Sequence, residues 1–293
     1  MNNENYSYTI GDSVDIGCTA YDDVDGSVPC TYTGSIDTNT LGDYDITYSA
    51  TDSSGNTNTL VVTYSVVEEN DYLSMDLDPY YDDAEGISGE TLLIALRTII
   101  NTGFTGVSYG ETRYILNETD EDPNNLGNVI LVYTQLSVSG TWDEGVTWNR
   151  EHVWPQSLLD VSVDNNDTNV GSDLHNLKPA DPGENSSRSN KYFDYIGSTT
   201  TYEPPDEVKG DIARILFYMI VMYDYLDLVD TEPTTYEMGL LEVLLAWHEQ
   251  DPVDDFERNR NDVIYSYQNN RNPFIDYEHF VELIFGSHSY YNN

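Results

Sequence analysis

The first part of the chain alternates between apolar and polar side chains with a period of two. The alternation is clearest in residues 43–48 and 60–66. Because successive side chains of a strand point to opposite faces, this period predicts half-buried β-strands. Turn residues such as Gly26 and Gly55 separate the strands, so we predict a small all-β sandwich over residues 1–68.

The period changes beyond residue 69, where apolar residues recur at every third or fourth position. This spacing is typical of helices that bury one face. Asp251 is a suitable N-cap for a helix beginning at Pro252. Further helices are predicted at residues 89–101, 206–226, 238–248 and 276–285. We therefore predict a multidomain chain, in which the all-β sandwich precedes a mainly helical α+β domain over residues 69–293.

The charge of the chain is strongly unbalanced. Its 293 residues include 53 acidic and 11 basic side chains, a net charge of −42, which opposes binding to a polyanion. Residues 1–96 contain 19 acidic side chains and no Lys or Arg. Four of the eleven cations instead lie within residues 150–191, where we expect a phosphate to bind: Arg150, Lys178, Arg188 and Lys191. A strongly acidic surface also suits a protein that works in high salt, so we expect a salt-adapted protein. The alternative explanation of the composition is drift.

Several sequence blocks carry a family resemblance. The central ones read WNREHVWPQS, SDLHNLKPAD and NSSRSNKYFD, and three others flank them: YYDDAEGISGETLLIAL, ETDEDPNNLGNVILVYT and WHEQDPVDDFERNRNDVIYSYQNNRNPFID. On these blocks, residues 80–286 resemble the bacterial endonuclease I family of secreted, non-specific nucleases with a ββα-metal core. The N-terminal part resembles the bacterial Ig-like modules that are appended to secreted enzymes.

The resemblance implies a secreted, metal-dependent endonuclease that cleaves DNA without sequence specificity and leaves 5′-phosphate ends, with RNA left open as a substrate. His152 is expected to be the general base, since the pKa of imidazole lies near neutral pH. Glu151 and Asn190 are expected to hold Mg²⁺, with Mn²⁺ or Ca²⁺ as substitutes. We expect a monomer that binds nucleic acid and no membrane. The alternative is a non-enzymatic secreted binding or adhesion protein with a decayed nuclease fold.

The local sequence adds expectations about placement. Adjacent side chains of a strand face opposite ways, so Glu151 and His152 can serve one site only at a bulge or a strand end. Residues 173–177 are expected to form the second strand of the ββα unit. Its Asn176 is expected to orient His152 or to support the metal ligands. A short helix is predicted from Pro182, with Asn190 on one of its faces.

One cation of the family pattern is missing. In the cysteine-rich branch of the family an arginine between the two central blocks contacts the phosphate, but no Lys or Arg lies between Glu151 and His175 here. Arg188 is the first candidate to replace it, and Lys191 and Arg150 are the next. We expect three C-terminal arginines to pair with nearby acids: Arg258, Arg260 and Arg271.

Two further features bear on secretion. Cys18 and Cys30 are the only cysteines, and secretion would favour a disulfide between them over two buried thiols. Met1 is followed by neither a basic region nor an apolar run, so we expect the chain to be a processed or recombinant mature form. The longest apolar run, residues 215–223, is too short to span a bilayer.

Overall fold

The computed structural model describes residues 6–10, 14, 16–22, 25–67, 71–195 and 198–286. The chain divides into two compact units, Met1–Asp71 and Tyr72–Asn293. The first unit is rich in strands, and the second is helical and mixed. These two secondary-structure types agree with the change of period seen in the sequence.

The first unit contains a mixed four-stranded sheet and a separate two-stranded hairpin. The sheet has the strand order β1-β6-β5-β4, in which β1 runs parallel to β6 and the other pairs are antiparallel. The hairpin pairs β2 with β3. The strands are β1 (Tyr6–Thr9), β2 (Ala20–Asp22), β3 (Gly26–Val28), β4 (Cys30–Thr33), β5 (Gly42–Thr51) and β6 (Thr57–Val67).

The predicted alternation of this sheet is confirmed. Ile46 and Tyr64 are buried, whereas Asp43 and Asp45 are exposed on the other face. A disulfide joins Cys18 to Cys30, with the two Cα atoms 5.8 Å apart. The expected covalent link within this strand-rich unit is therefore present.

The second unit contains eight helices and eight short strands among the residues described. The helices are α1 (Gly89–Asn101), α2 (Tyr109–Thr119), α3 (Pro182–Arg188), α4 (Lys209–Met222), α5 (Leu241–Gln250), α6 (Asp255–Gln268), α7 (Pro273–Asp276) and α8 (Phe280–Phe285). The strands are β7 (Asn128–Ile130), β8 (Ser137–Ser139), β9 (Asn149–His152), β10 (Leu177–Ala180), β11 (Tyr192–Phe193), β12 (Thr201–Tyr202), β13 (Asp227–Val229) and β14 (Glu237–Gly239).

Helix α4 is the centre of the second unit. All of its residues are buried, as expected of a helix that is covered on every side. The main hydrophobic cluster joins it to α1, α5, α7 and α8. Arg97 donates hydrogen bonds to the carbonyls of Ile220 and Val221, at 2.9 Å each, and so satisfies acceptors at the C-terminal end of α4. None of the helices in the described part of the chain combines the length and apolar character needed to cross a membrane.

Two helix predictions need correction, and one helix was missed. The N-cap of α6 is Asp254, which forms a capping box with Glu257, and not Asp251. Asp251 is engaged elsewhere, because its Oδ2 accepts a hydrogen bond from the N–H of Gly210 at 2.9 Å. The helix predicted over residues 276–285 begins later than expected, because α7 ends at Asp276 and α8 begins at Phe280. Helix α2 was not predicted, since its Tyr, Thr and Asn residues are weak helix formers.

Candidate active site

Strands β9 and β10 and helix α3 follow one another around the predicted site residues. The two strands are antiparallel, with Leu177 opposite His152 and Lys178 opposite Glu151. The predicted second strand therefore begins at Leu177, later than expected. Residues 174–176 instead form a 3-10 turn, because the carboxylate of Asp173 accepts a hydrogen bond from the N–H of His175 at 3.0 Å.

Glu151 is a buried carboxylate held by two donors. Its Oε1 accepts hydrogen bonds from the hydroxyl of Tyr133 at 2.6 Å and from Nη1 of Arg188 at 2.8 Å. Burial raises the pKa of Glu151, and the charge of Arg188 and the Tyr133 hydroxyl oppose that rise. Both side-chain donors bind the same oxygen, which leaves Oε2 outside this pair of hydrogen bonds.

His152 ends β9, which is the strand end that the sequence required for a shared site. Its Nε2 donates a hydrogen bond to the carbonyl of Gly171 at 2.8 Å. Because a carbonyl only accepts, Nε2 carries the proton and Nδ1 carries the lone pair. The ring stacks on that of Tyr109, with 5.6 Å between the centroids. Burial lowers the pKa of His152 to about 4, so the imidazole is neutral at neutral pH and can accept a proton.

Among the described residues the side chain of Asn176 makes no hydrogen bond to His152, so it does not orient the imidazole as predicted. Its Oδ1 accepts from the N–H of Trp154 at 2.7 Å, and its Nδ2 donates to the carbonyl of Trp154 at 3.1 Å. Asn176 is completely buried and fixes the backbone just beyond β9. The group that orients His152 is instead the carbonyl of Gly171.

Arg188 is not placed as a phosphate contact. Its side chain is fully buried, and its Nη1 donates to Glu151 and to the carbonyl of His152, both at 2.8 Å. Its guanidinium also lies over the ring of Phe193, 4.7 Å from the centroid. Arg188 therefore holds the end of β9 from the last turn of α3, and substrate would reach it only if the site opened.

Asn190 lies outside helix α3, contrary to the predicted helical face. The helix ends at Arg188, where Ser189 adopts a positive φ of 54°, and Asn190 is exposed in the following turn. The asparagine that α3 places against β9 is Asn185. Its Nδ2 donates to Oδ1 of Asn149 at 2.8 Å, which directs its own Oδ1 away from that contact.

The cations of the motif region fall into two groups. Lys178 is buried in ion pairs with Asp120 at 3.0 Å and Asp211 at 3.6 Å, so it is not available to a phosphate, contrary to expectation. Arg150 and Lys191 have no carboxylate partner among the residues described. The three C-terminal arginines pair with acids as predicted: Arg258 with Glu278, Arg260 with Asp120, and Arg271 with Asp262 and Asp276.

The donor set near β9 suits a hard cation. In the parts of the chain that the structure describes, no three His, Cys, Asp or Glu side chains form a metal-binding cluster. Glu151 and an asparagine amide would offer only oxygen atoms, which is the ligand type that Mg²⁺ and Ca²⁺ prefer. One carboxylate with one neutral amide would leave positive charge on the ion for a phosphate oxygen.

Three contributors to the site were missed at the sequence level. Gly171 acts through its carbonyl, and its residue type gives no signal for that role. Tyr109 belongs to a helix that was not predicted. Asn185 had a visible signal, because it lies in the helix predicted from Pro182, but Asn190 matched the expected motif and was preferred.

Comparison with known proteins assigns both parts of the chain. The endonuclease I family matches residues 88–202 and 194–279, and the bacterial surface protein Ig-like domain matches residues 4–67. An extracellular ribonuclease of Bacillus subtilis is 45% identical over 232 residues, which cover 71% of this chain and 79% of that protein. One from Bacillus amyloliquefaciens is 45% identical over 233 residues, or 72% and 79% of the two chains. An extracellular deoxyribonuclease of Aeromonas hydrophila is 34% identical over 120 residues, covering 36% and 48%.

Proposed function

The chain belongs to the endonuclease I family, and from this premise we propose that it is a secreted, divalent-metal-dependent endonuclease that cleaves nucleic acid without sequence specificity. In this proposal β9, β10 and α3 form the ββα-metal unit. The observation that carries it is the arrangement of Glu151 and His152 at the end of β9. Each side chain is held by buried hydrogen bonds, and the two are turned toward different neighbours.

His152 is the proposed general base. The carbonyl of Gly171 holds the proton on Nε2, so Nδ1 is the atom that would accept a proton from the attacking water. The fixed ring also removes the need to orient the base during the reaction. A lowered pKa keeps this nitrogen unprotonated over the neutral range.

Glu151 precedes His152 at the end of β9, and its carboxylate accepts a hydrogen bond from Arg188 of α3. In-line attack on phosphorus places the attacking and leaving oxygens on opposite sides of the phosphate. In this proposal His152 acts on the attacking water, and the metal held by Glu151 would act on the leaving oxygen. The end of β9 at His152 is what would allow these two neighbouring side chains to serve one site.

We propose Mg²⁺ as the cofactor, with Mn²⁺ or Ca²⁺ as substitutes. Glu151 would hold it together with one asparagine, for which Asn185 has the better placement and Asn190 is the alternative from the sequence. When bound, the ion supplies positive charge to the phosphate and the leaving oxygen. Arg188 and Tyr133 keep the Glu151 carboxylate in place.

The proposed substrates are RNA and DNA. Two relatives that align over more than two thirds of this chain are named ribonucleases, and a more distant one is named a deoxyribonuclease. Contacts to phosphates carry little base information, which is consistent with cleavage of either polymer at many sequences. We further propose a 5′-phosphate product and secretion of the chain, as in the extracellular relatives.

Incubation of supercoiled plasmid and of structured RNA with the full chain tests the proposal. We expect cleavage with Mg²⁺ and none with excess chelator. Substitution of His152→Ala should lower the rate by about 10²–10⁴-fold, because general base catalysis contributes that much. Glu151→Gln should raise the Mg²⁺ concentration required for cleavage.

Arg258→Ala is the matched control, because Arg258 is half exposed and, among the described residues, its side chain pairs with Glu278 and nearby carbonyls alone. Its rate should equal that of the wild type. Absence of chelator-sensitive cleavage by the wild type would favour the non-enzymatic alternative. Equal rates for wild type and His152→Ala would reject His152 as the base.

A further inference from the structure

Aromatic and arginine side chains alternate on the surface of the second unit. Tyr114, on α2, is 62% exposed, and Cζ of Arg113 lies 5.3 Å from the centroid of its ring. The same guanidinium lies 6.0 Å from the ring of Trp142, in the loop that follows β8. Three side chains from two separate segments thus form a continuous row that begins at the protein surface.

The row continues inward to the candidate base. Cζ of Arg150, on β9, lies 5.4 Å from the ring of Trp142 and 3.6 Å from the ring of Tyr109. Tyr109 in turn stacks on His152. We call this row the aromatic–arginine track, and it consists of Tyr114, Arg113, Trp142, Arg150 and Tyr109.

Both arginines of the track keep donors free. Arg113 donates from Nε to the carbonyl of Gly110 at 2.7 Å, and its two Nη groups make no hydrogen bond with the described residues. Arg150 donates from Nη1 to the carbonyl of Tyr109 and to the hydroxyl of Thr112. Its Nε and Nη2 likewise have no hydrogen-bond partner in the described part of the chain. Each guanidinium is therefore fixed in place but still able to bind an anion.

The charge of the track is unusual for this chain. The chain has 53 acidic side chains, yet no carboxylate lies within ion-pair distance of Arg113 or Arg150 among the described residues. Two acids from the same segments are already engaged. Glu111 accepts from the N–H and the hydroxyl of Ser108, and Asp143 accepts from backbone and hydroxyl groups of residues 146–147. The two guanidinium charges of the track are therefore not paired with a carboxylate of the described residues, although acidic side chains lie on the same segments.

We propose that the aromatic–arginine track binds the single-stranded nucleotides that flank the scissile phosphate, with arginines on phosphates and Tyr114 stacked against a base. This inference rests on the proposed nuclease function and specifies its substrate class. Aromatic faces bind unpaired bases, because the bases of a duplex are stacked on one another. The track therefore favours single-stranded RNA or DNA, and single-stranded regions of folded RNA, over duplex.

Binding of a fluorescein-labelled single-stranded oligonucleotide to the full chain, measured by fluorescence anisotropy in excess chelator, tests the proposal. The chelator prevents metal-dependent cleavage, so binding is measured separately from activity. Arg113→Ala should weaken binding and reduce the slope of log Kd against log salt by about 0.7, the value for one phosphate contact with a single strand. Tyr114→Ala should weaken binding about tenfold and leave that slope unchanged, since stacking releases no counterions.

Two matched variants provide the controls. Arg258→Ala removes a half-exposed arginine, and Tyr225→Ala removes a tyrosine that is 48% exposed, both outside the track. Neither should change the affinity, and a duplex of the same sequence should be much less sensitive to Tyr114→Ala. Unchanged single-strand affinity in both track variants would overturn the inference, as would equal losses for single strand and duplex in Tyr114→Ala. If the wild type binds through the track but does not cleave with Mg²⁺, the proposed function fails and the binding site stands.

Discussion

Glu151 shows how the site depends on individual buried contacts. Its carboxylate is almost inaccessible to water, and its charge is balanced by Arg188, which is itself fully buried. Transfer of either charge from water into the protein is costly, so each side chain needs the other. Arg188, which was expected to bind the substrate phosphate, is therefore a positioning residue for Glu151, the proposed metal ligand.

Substitution of Arg188→Ala should lower the free energy of unfolding by about 3–5 kcal/mol, because it leaves a buried carboxylate without its partner. Urea denaturation of the full chain measures this change. The loss should be smaller when Arg188→Ala is introduced into a Glu151→Gln background, where no charge is left unpaired. Arg258→Ala, which breaks a more exposed pair, should cost at most about 1 kcal/mol. Normal stability with reduced turnover in Arg188→Ala would instead support direct phosphate contact.

Single residues differ in how much of their role the sequence reveals. His152 and Glu151 lie in a recognisable block, and their side chains are the chemically active groups. The role of Gly171 is carried by a backbone carbonyl that every residue type possesses. A Cβ at Gly171 would lie 2.5 Å from Cγ1 of Val163, so close packing also favours glycine there. This role is recognised only from the tertiary structure, in which the carbonyl of Gly171 contacts the imidazole of His152.

Helix α3 is the element that decides the second metal ligand. It begins at Pro182 as predicted, and Oδ1 of Asp181 caps it by accepting from the N–H groups of Gly183 and Glu184 at 2.8 and 3.0 Å. Its C-terminus was not predictable, because Ser189 ends the helix with a positive φ, a conformation that residues other than glycine rarely adopt. The early end separates Asn190 from the face of α3 that meets β9.

Asn185→Ala is expected to raise the Mg²⁺ concentration for half-maximal cleavage at least about tenfold, whereas Asn190→Ala should change it little. Calorimetric titration with Mn²⁺ gives the same comparison without turnover. Asn149→Ala is the matched control, because it removes the hydrogen-bond acceptor of Asn185 but keeps its amide. A large effect of Asn190→Ala with none from Asn185→Ala would restore the ligand that the sequence favoured.

The whole molecule carries a net charge of −42, which repels a polyanionic substrate at low ionic strength. Many of the basic side chains form buried ion pairs with acidic side chains, for example Lys178, Arg214 and Arg260. Few positive charges are therefore left to offset the repulsion. This balance supports the proposed adaptation to high salt, in which counterions screen the acidic surface.

We expect kcat/KM on a nucleic-acid substrate to rise with NaCl and to reach its maximum above physiological ionic strength. Added salt weakens phosphate contacts, but it also screens the larger net repulsion, over a Debye length of about 8 Å at 0.15 M. Rates measured across a NaCl series at saturating Mg²⁺ check this expectation. A steady fall from the lowest salt upward would show that local contacts outweigh net charge.

The sequence by itself determined the two classes of structure, the family, and the pair of residues at the centre of the candidate site. The classes of structure follow from local periods, whereas the family and the residue pair follow from the resemblance of the sequence blocks. Tertiary structure decided which polar groups face one another. Arg188 and Lys178 are buried in ion pairs. The carbonyl of Gly171 orients His152, and Asn185 rather than Asn190 lies against β9. Those outcomes depend on contacts between residues far apart in the chain, and no local pattern encodes them.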